Sequence, residues 1–128
     1  MFLHNLNLDQ QGVLLDLARQ TAQADGEISH LETQMINVLR QQCNPNVTVK
    51  STSQADLASI FDTPIAKYSL LLELLGIAHA NNEYHSSEKD IIFKVSQALG
   101  VTNDKLQALE AWVEKQFLLT HEVQELLK

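Results

Sequence analysis

The stretch Ala24-Asp25-Gly26-Glu27-Ile28-Ser29-His30-Leu31-Glu32 decides how this chain is read. It is an acidic turn between two segments of helical periodicity. A weaker copy, Ala80-Asn81-Asn82-Glu83-Tyr84-His85-Ser86-Ser87-Glu88, follows 56 positions later. At that offset Ala22 falls on Ala78, Ala24 on Ala80, Glu27 on Glu83, Glu32 on Glu88, Ile36 on Ile92 and Leu39 on Val95. A spacing kept this well predicts one helix-turn-helix unit used twice. If the units pack about a pseudo-two-fold axis, the two acidic turns face each other.

Upstream of the first turn, Val13, Leu14, Leu17, Ala18, Thr21 and Ala22 recur at steps of three and four, which predicts a helix from Leu8 to Ala24 with one buried face. Asn7 and Asp9 are its candidate caps. Gly26 tolerates the left-handed conformation with which helices often end. Ser29-x-x-Glu32 reads as a capping box opening the next helix, whose inner stripe is expected at Leu31, Met35, Val38, Leu39 and Gln42. Cys43 and Asn44-Pro45 end it.

Downstream, residues 44–63 read as a connection, with Pro45, Asn46 and a Ser/Thr cluster. Within it Val47-Thr48-Val49 is too short to nucleate a sheet, and Gln54 to Phe61 predicts a short helix capped by Ser53. Pro64 suits the first turn of a helix that points Ile65, Tyr68, Leu71, Leu72, Leu75 and Ala78 inward and, as the most apolar segment, takes the centre. Ser87 to Leu99 presents Ile91, Ile92, Val95, Ala98 and Leu99 before Gly100 stops it. Thr102 or Asn103 caps a last helix with Leu106, Leu109, Trp112, Val113 and Phe117 on one side. The expected architecture is all-α, a compact bundle of five to six helices in one domain: repeat one at 8–43, connection 44–63, repeat two at 64–99 and a C-terminal helix at 102–128.

Composition agrees. With 4 Gly, 2 Pro and 5% aromatics against abundant Leu, Ala, Gln and Glu, helix is favoured over sheet. A chain of 128 residues buries a sufficient core without disulfide or metal, so an ion is not needed for folding. The net charge of −7, with 9 dispersed basic residues, argues against a nucleic-acid partner, because neutralising phosphates requires a basic patch. Cys43 is alone, which excludes a disulfide framework and fits a reducing compartment. The segment Tyr68 to Ala80, cut by Glu73, is too short to span a bilayer, and Met1 to Asn5 lacks an export signal, so a cytoplasmic location is expected.

At Ala22-x-Ala24-Asp25-Gly26 with Glu32 seven positions after the aspartate, echoed at Ala78-x-Ala80-Asn81-Asn82 with Glu88 and followed by Ala98-Leu99-Gly100-Val101, the chain resembles the tellurite-resistance TerB family. The resemblance runs from about Leu14 to Trp112. It implies an all-helical domain of two repeats, also found in membrane J-domain co-chaperones, whose acidic turns bind divalent cations in a protein tied to metal or oxidative stress. The family's aspartate falls on Asp25 and its glutamates on Glu32 and Glu88. Asn81-Asn82 stands where the second repeat would carry Asp-Gly, one negative charge fewer. The resemblance implies no enzyme activity, and no phosphate-binding loop, Gly-x-Ser-x-Gly or His-Glu-x-x-His motif occurs.

The candidate metal ligands are Asp25, Glu27 and Glu32 from one turn and Glu83 and Glu88 from the other, with Asn81 or Asn82 lending a carbonyl. Calcium or magnesium is favoured over zinc, because hard cations want six or more oxygens, which two turns supply and one does not. The plainer reading is capping, since acids in a first helical turn are stabilised by about 0.3–1 kcal/mol each. Capping accounts for Glu32. It accounts less well for Glu88, because His85 replaces the serine at the cap. Asp25-Gly26-Glu27-Ile28-x-x-x-Glu32 also matches the second half of an EF-hand loop, but Thr21 and Gln23 fall where its first ligands belong. His79, Glu83 and His85 form a zinc-type alternative.

Leu118, Leu119, Val123, Leu126 and Leu127 make an amphipathic tail that either folds back on the bundle, the expected outcome, or docks on a protein partner. The competing functional reading is therefore a metal-free interaction or scaffold module with solvated acidic caps.

Overall fold

The computed structural model describes residues 1–24, 26, 29–80, 84 and 86–128. Among these the chain forms six α-helices and no strand: α1 (Leu8–Ala22), α2 (His30–Gln42), α3 (Leu57–Ile60), α4 (Pro64–Ala78), α5 (Ser86–Ala98) and α6 (Asn103–Leu126), with 3-10 turns at Leu3–Asn5 and Gln54–Asp56. The all-α bundle read from the sequence is the observed one.

Four of the six helix starts have a local side-chain cause. Asn7 caps α1 in a reciprocal box with Gln10, Ser29 caps α2 in a box with Glu32, and the Thr63 hydroxyl accepts the Ala66 amide with Pro64 at the first position of α4. Thr102 accepts the Lys105 amide to open α6. Gly100, two residues past the end of α5, takes φ of 75°, the left-handed region that ends a helix without Cβ strain, whereas Gly26, with φ of 92°, lies in the turn three residues beyond Gln23, the C-cap of α1. Before α3, the Ser53 hydroxyl donates to the Asp56 carboxylate at 2.9 Å and caps no backbone amide.

The centre is the α1–α4 pair, the most extensively packed in the chain. Leu14 and Ala18 of α1 and Leu70, Leu71, Leu74 and Leu75 of α4 are sealed from solvent. Residues related by the 56-position offset share this core: Leu14 with Leu70, Leu15 with Leu71 and Ala22 with Ala78. Contacts also cross between repeats, because α1 packs on α5 as well as α2, and α4 on α2 as well as α5. That reciprocal pattern is what two interlocked copies of one unit produce.

The structure corrects three expectations about faces. In α2 the buried stripe is Glu32, Leu39 and Cys43 with Ile36 half-buried, while Leu31, Met35, Val38 and Gln42 are exposed. Moving the stripe by one residue turns the helix by about 100°, and it brings a carboxylate inside. The α5 stripe of Glu88, Ile92, Val95 and Leu99 is the same set 56 positions on. Ile65, expected inward, is exposed at the start of α4, and Ala66, Ser69 and Leu70 take the interior instead. Leu118, Leu119, Val123, Leu126 and Leu127 are 53–83% exposed, so the tail extends α6 away from the bundle and does not fold back.

The connection is anchored to α1. The Lys50 amide donates to the Gly12 carbonyl at 3.1 Å, and a Cβ at Gly12 would run into the carbonyl of Thr48. Gln11 ties in the other end, accepting the Asn44 amide at 3.0 Å while its own amide donates to the Leu6 carbonyl at 2.9 Å. Gln10 donates to the Ile60 carbonyl at 2.8 Å. Buried glutamines with satisfied amides thus hold the non-helical segments down.

Candidate cation-binding junctions

The two repeats each place a glutamate in the first turn of their second helix, behind a junction that α1 or α4 enters from the core. Of the five sequence-predicted ligands, Glu32 and Glu88 are described, and Asp25, Glu27 and Glu83 lie outside the described residues, as do Asn81, Asn82 and His85.

Glu32 is 2% and Glu88 1% exposed, among the most deeply buried side chains of the protein. For Glu32 the capping box is present: Ser29 Oγ accepts the Glu32 amide at 3.0 Å, and Glu32 Oε1 accepts the Ser29 amide at 3.4 Å. That accounts for one oxygen. Glu32 Oε2 is sealed from solvent and has no hydrogen-bond partner among the described residues. A surface cap has no reason to bury its carboxylate, and an ionised oxygen taken out of water without a partner is costly. Capping alone therefore does not account for Glu32.

Glu88 lies within electrostatic reach of Tyr84. Burial first, then the carboxylates of Glu110 and Glu88, push the Tyr84 phenol far above its usual range. Lys89 Nζ sits 5.1 Å over the Tyr84 ring, a cation on the aromatic face beside this negative field.

The EF-hand alternative fails on α1. Thr21 is inside the helix, sealed from solvent, with its hydroxyl donated to the Leu17 carbonyl at 2.8 Å, so it is spent on the helix and offers no ligand. The zinc alternative keeps one described member, His79, which caps the C-terminus of α4 and turns toward Glu110 of α6. Glu110 and Glu114 were not singled out in the sequence; their spacing of four on one helix was the available signal.

Among the described residues, no helix is long and apolar enough to cross a membrane. Comparison with models of known families, with curated proteins and with solved structures finds no match.

Proposed function

We propose that this chain is a non-enzymatic, TerB-like helical protein of the cytoplasm, acting in metal or oxidative stress, whose acidic junctions bind a hard divalent cation through Glu32 and Glu88. The observation that carries this reading is the Oε2 of Glu32, sealed from solvent and without a hydrogen-bond partner among the described residues, at the end of an acidic turn. Calcium and magnesium take oxygen ligands from carboxylates and backbone carbonyls, and buried carboxylates that coordinate an ion recover what desolvation costs them. Asp25, Glu27 and Glu83 supply the remaining side-chain oxygens in this reading. The interlocking of α1 with α5 and of α4 with α2 supports one ion shared by both junctions. Binding would then stiffen the start of α2 and α5 together.

Thermal unfolding followed during calcium, magnesium and manganese titration tests this. Saturation at about 100 times the dissociation constant adds about 2.7 kcal/mol of stability. The Glu32→Gln/Glu88→Gln variant is expected to lose that shift, and a wild-type protein indifferent to all three ions would reject the proposal.

A second reading has its own observation, the apolar α6 extension from Leu118 to Leu127 left exposed. On that reading the chain is a metal-free interaction module whose tail docks on another protein. Its signature is partner binding abolished by removing residues 118–128 and unaffected by chelators.

A further inference from the structure

His79 ends α4 with its imidazole against α6, and its Nε2 is sealed from solvent without a hydrogen-bond partner among the described residues. Glu110 Oε1 stands 3.7 Å from it, too far for a hydrogen bond. One donor atom each from His79, Glu110 and Glu114 all lie within 4.8 Å of one another. Around a tetrahedral ion with bonds of roughly 2.1 Å, donors stand roughly 3.4 Å apart. Glu114 is exposed, so its carboxylate has room to move toward the other two groups.

Two further features single this cluster out from ordinary surface acids. It opens on a cleft of about 400 Å³ walled by His79, Glu114, Phe117, Leu118 and His121, which brings a second imidazole to the same opening. The His79 ring is also fixed in place, with the Tyr84 ring 4.4 Å and the Phe117 ring 6.5 Å from it, centroid to centroid. An imidazole kept for packing alone would have its nitrogen bonded or solvated.

We propose that His79, Glu110 and Glu114 form a binding site for a borderline transition-metal dication of the zinc type, with the fourth position facing the cleft and completed by His121 or water. One nitrogen and two carboxylates suit zinc or cobalt, whereas calcium needs six to eight oxygens. The site shares no ligand with the junctions and stands or falls separately from them.

The test is zinc titration calorimetry and cobalt absorption on a tag-free chain. One zinc per chain and the visible d–d bands of tetrahedral cobalt are expected. Glu110→Gln/Glu114→Gln, near-isosteric changes at one half-buried and one exposed position of α6, should keep the helical circular dichroism and melting of the wild type while weakening zinc at least about 100-fold. Glu32→Gln/Glu88→Gln should bind zinc as the wild type does. Absence of the cobalt bands from the wild type, or unchanged zinc affinity in Glu110→Gln/Glu114→Gln, overturns the proposal. His79→Gln gives a second check with the same expected loss.

Discussion

Glu32 and Glu88 stand 56 positions apart and occupy the same place in two helices, each in the first turn and each withdrawn from solvent. Three residues further along both helices follow the same inward line, Ile36, Leu39 and Cys43 in one and Ile92, Val95 and Leu99 in the other. The 56-position offset thus places a carboxylate at the head of the same largely apolar stripe in both helices.

If Glu32 is held for an ion, it is a burden to the ion-free protein. Glu32→Gln keeps the capping box, since glutamine serves there too, and removes the buried carboxyl group. The metal-free variant is expected to be more stable by about 1–2 kcal/mol, or ~4–7 °C in melting temperature, and to have lost its response to calcium. Melting curves in chelator and in calcium measure both effects.

The orientation of α2 yields a paired test. Leu39→Ala should cost about 2–5 kcal/mol because it opens a cavity in the core. Val38→Ala, one residue away on the exposed face, should stay within about 0.5 kcal/mol. Urea unfolding of the two variants reads the difference, and similar losses in both would place the stripe back on Leu31, Met35 and Val38.

Gly12 makes a test that runs against helix propensity. Alanine in place of a helical glycine normally gains up to about 1 kcal/mol. Here the added methyl meets the Thr48 carbonyl, part of a backbone segment pinned by the Lys50 amide, so a net loss of about 1–2 kcal/mol is expected from overpacking. Chemical denaturation of Gly12→Ala decides the sign.

Cys43 closes α2 inside the core, and burial, with a smaller push from Glu73 against the pull of Arg40, raises its thiol above the ordinary value of 9.0. The folded state therefore favours the protonated thiol. Its contribution to stability is complete below the unfolded value and is lost as pH rises through the folded one. At pH 8 the native protein should react with iodoacetamide far more slowly than the urea-unfolded chain, as followed by mass spectrometry.

Much of the fold was legible because local rules and global packing agree. Asn7, Ser29, Thr63 and Thr102 cap where their chemistry suits a helix start, Gly26 and Gly100 adopt positive φ, and the apolar run of α4 sits at the centre. The face of α2 was misread because hydropathy sends a glutamate outward, and a strict apolar count then selects Leu31, Met35 and Val38. The offset to α5 held the better signal, since Glu88, Ile92 and Val95 already marked the line. The tail was misread for a related reason: apolar spacing shows that a helix has a face, not that the bundle reaches far enough to cover it. His79 with Glu110 and Glu114 was hidden by distance along the chain, because only the packing of α4 on α6 brings them together.

The shared ion at the two junctions is tested most directly by amide NMR during calcium or magnesium titration. Signals from Ser29 to Glu32 and from Ser86 to Glu88 should move together along one binding curve, and Glu32→Gln should silence both sets. Signals that stay still, or that move at one junction only, would contradict it.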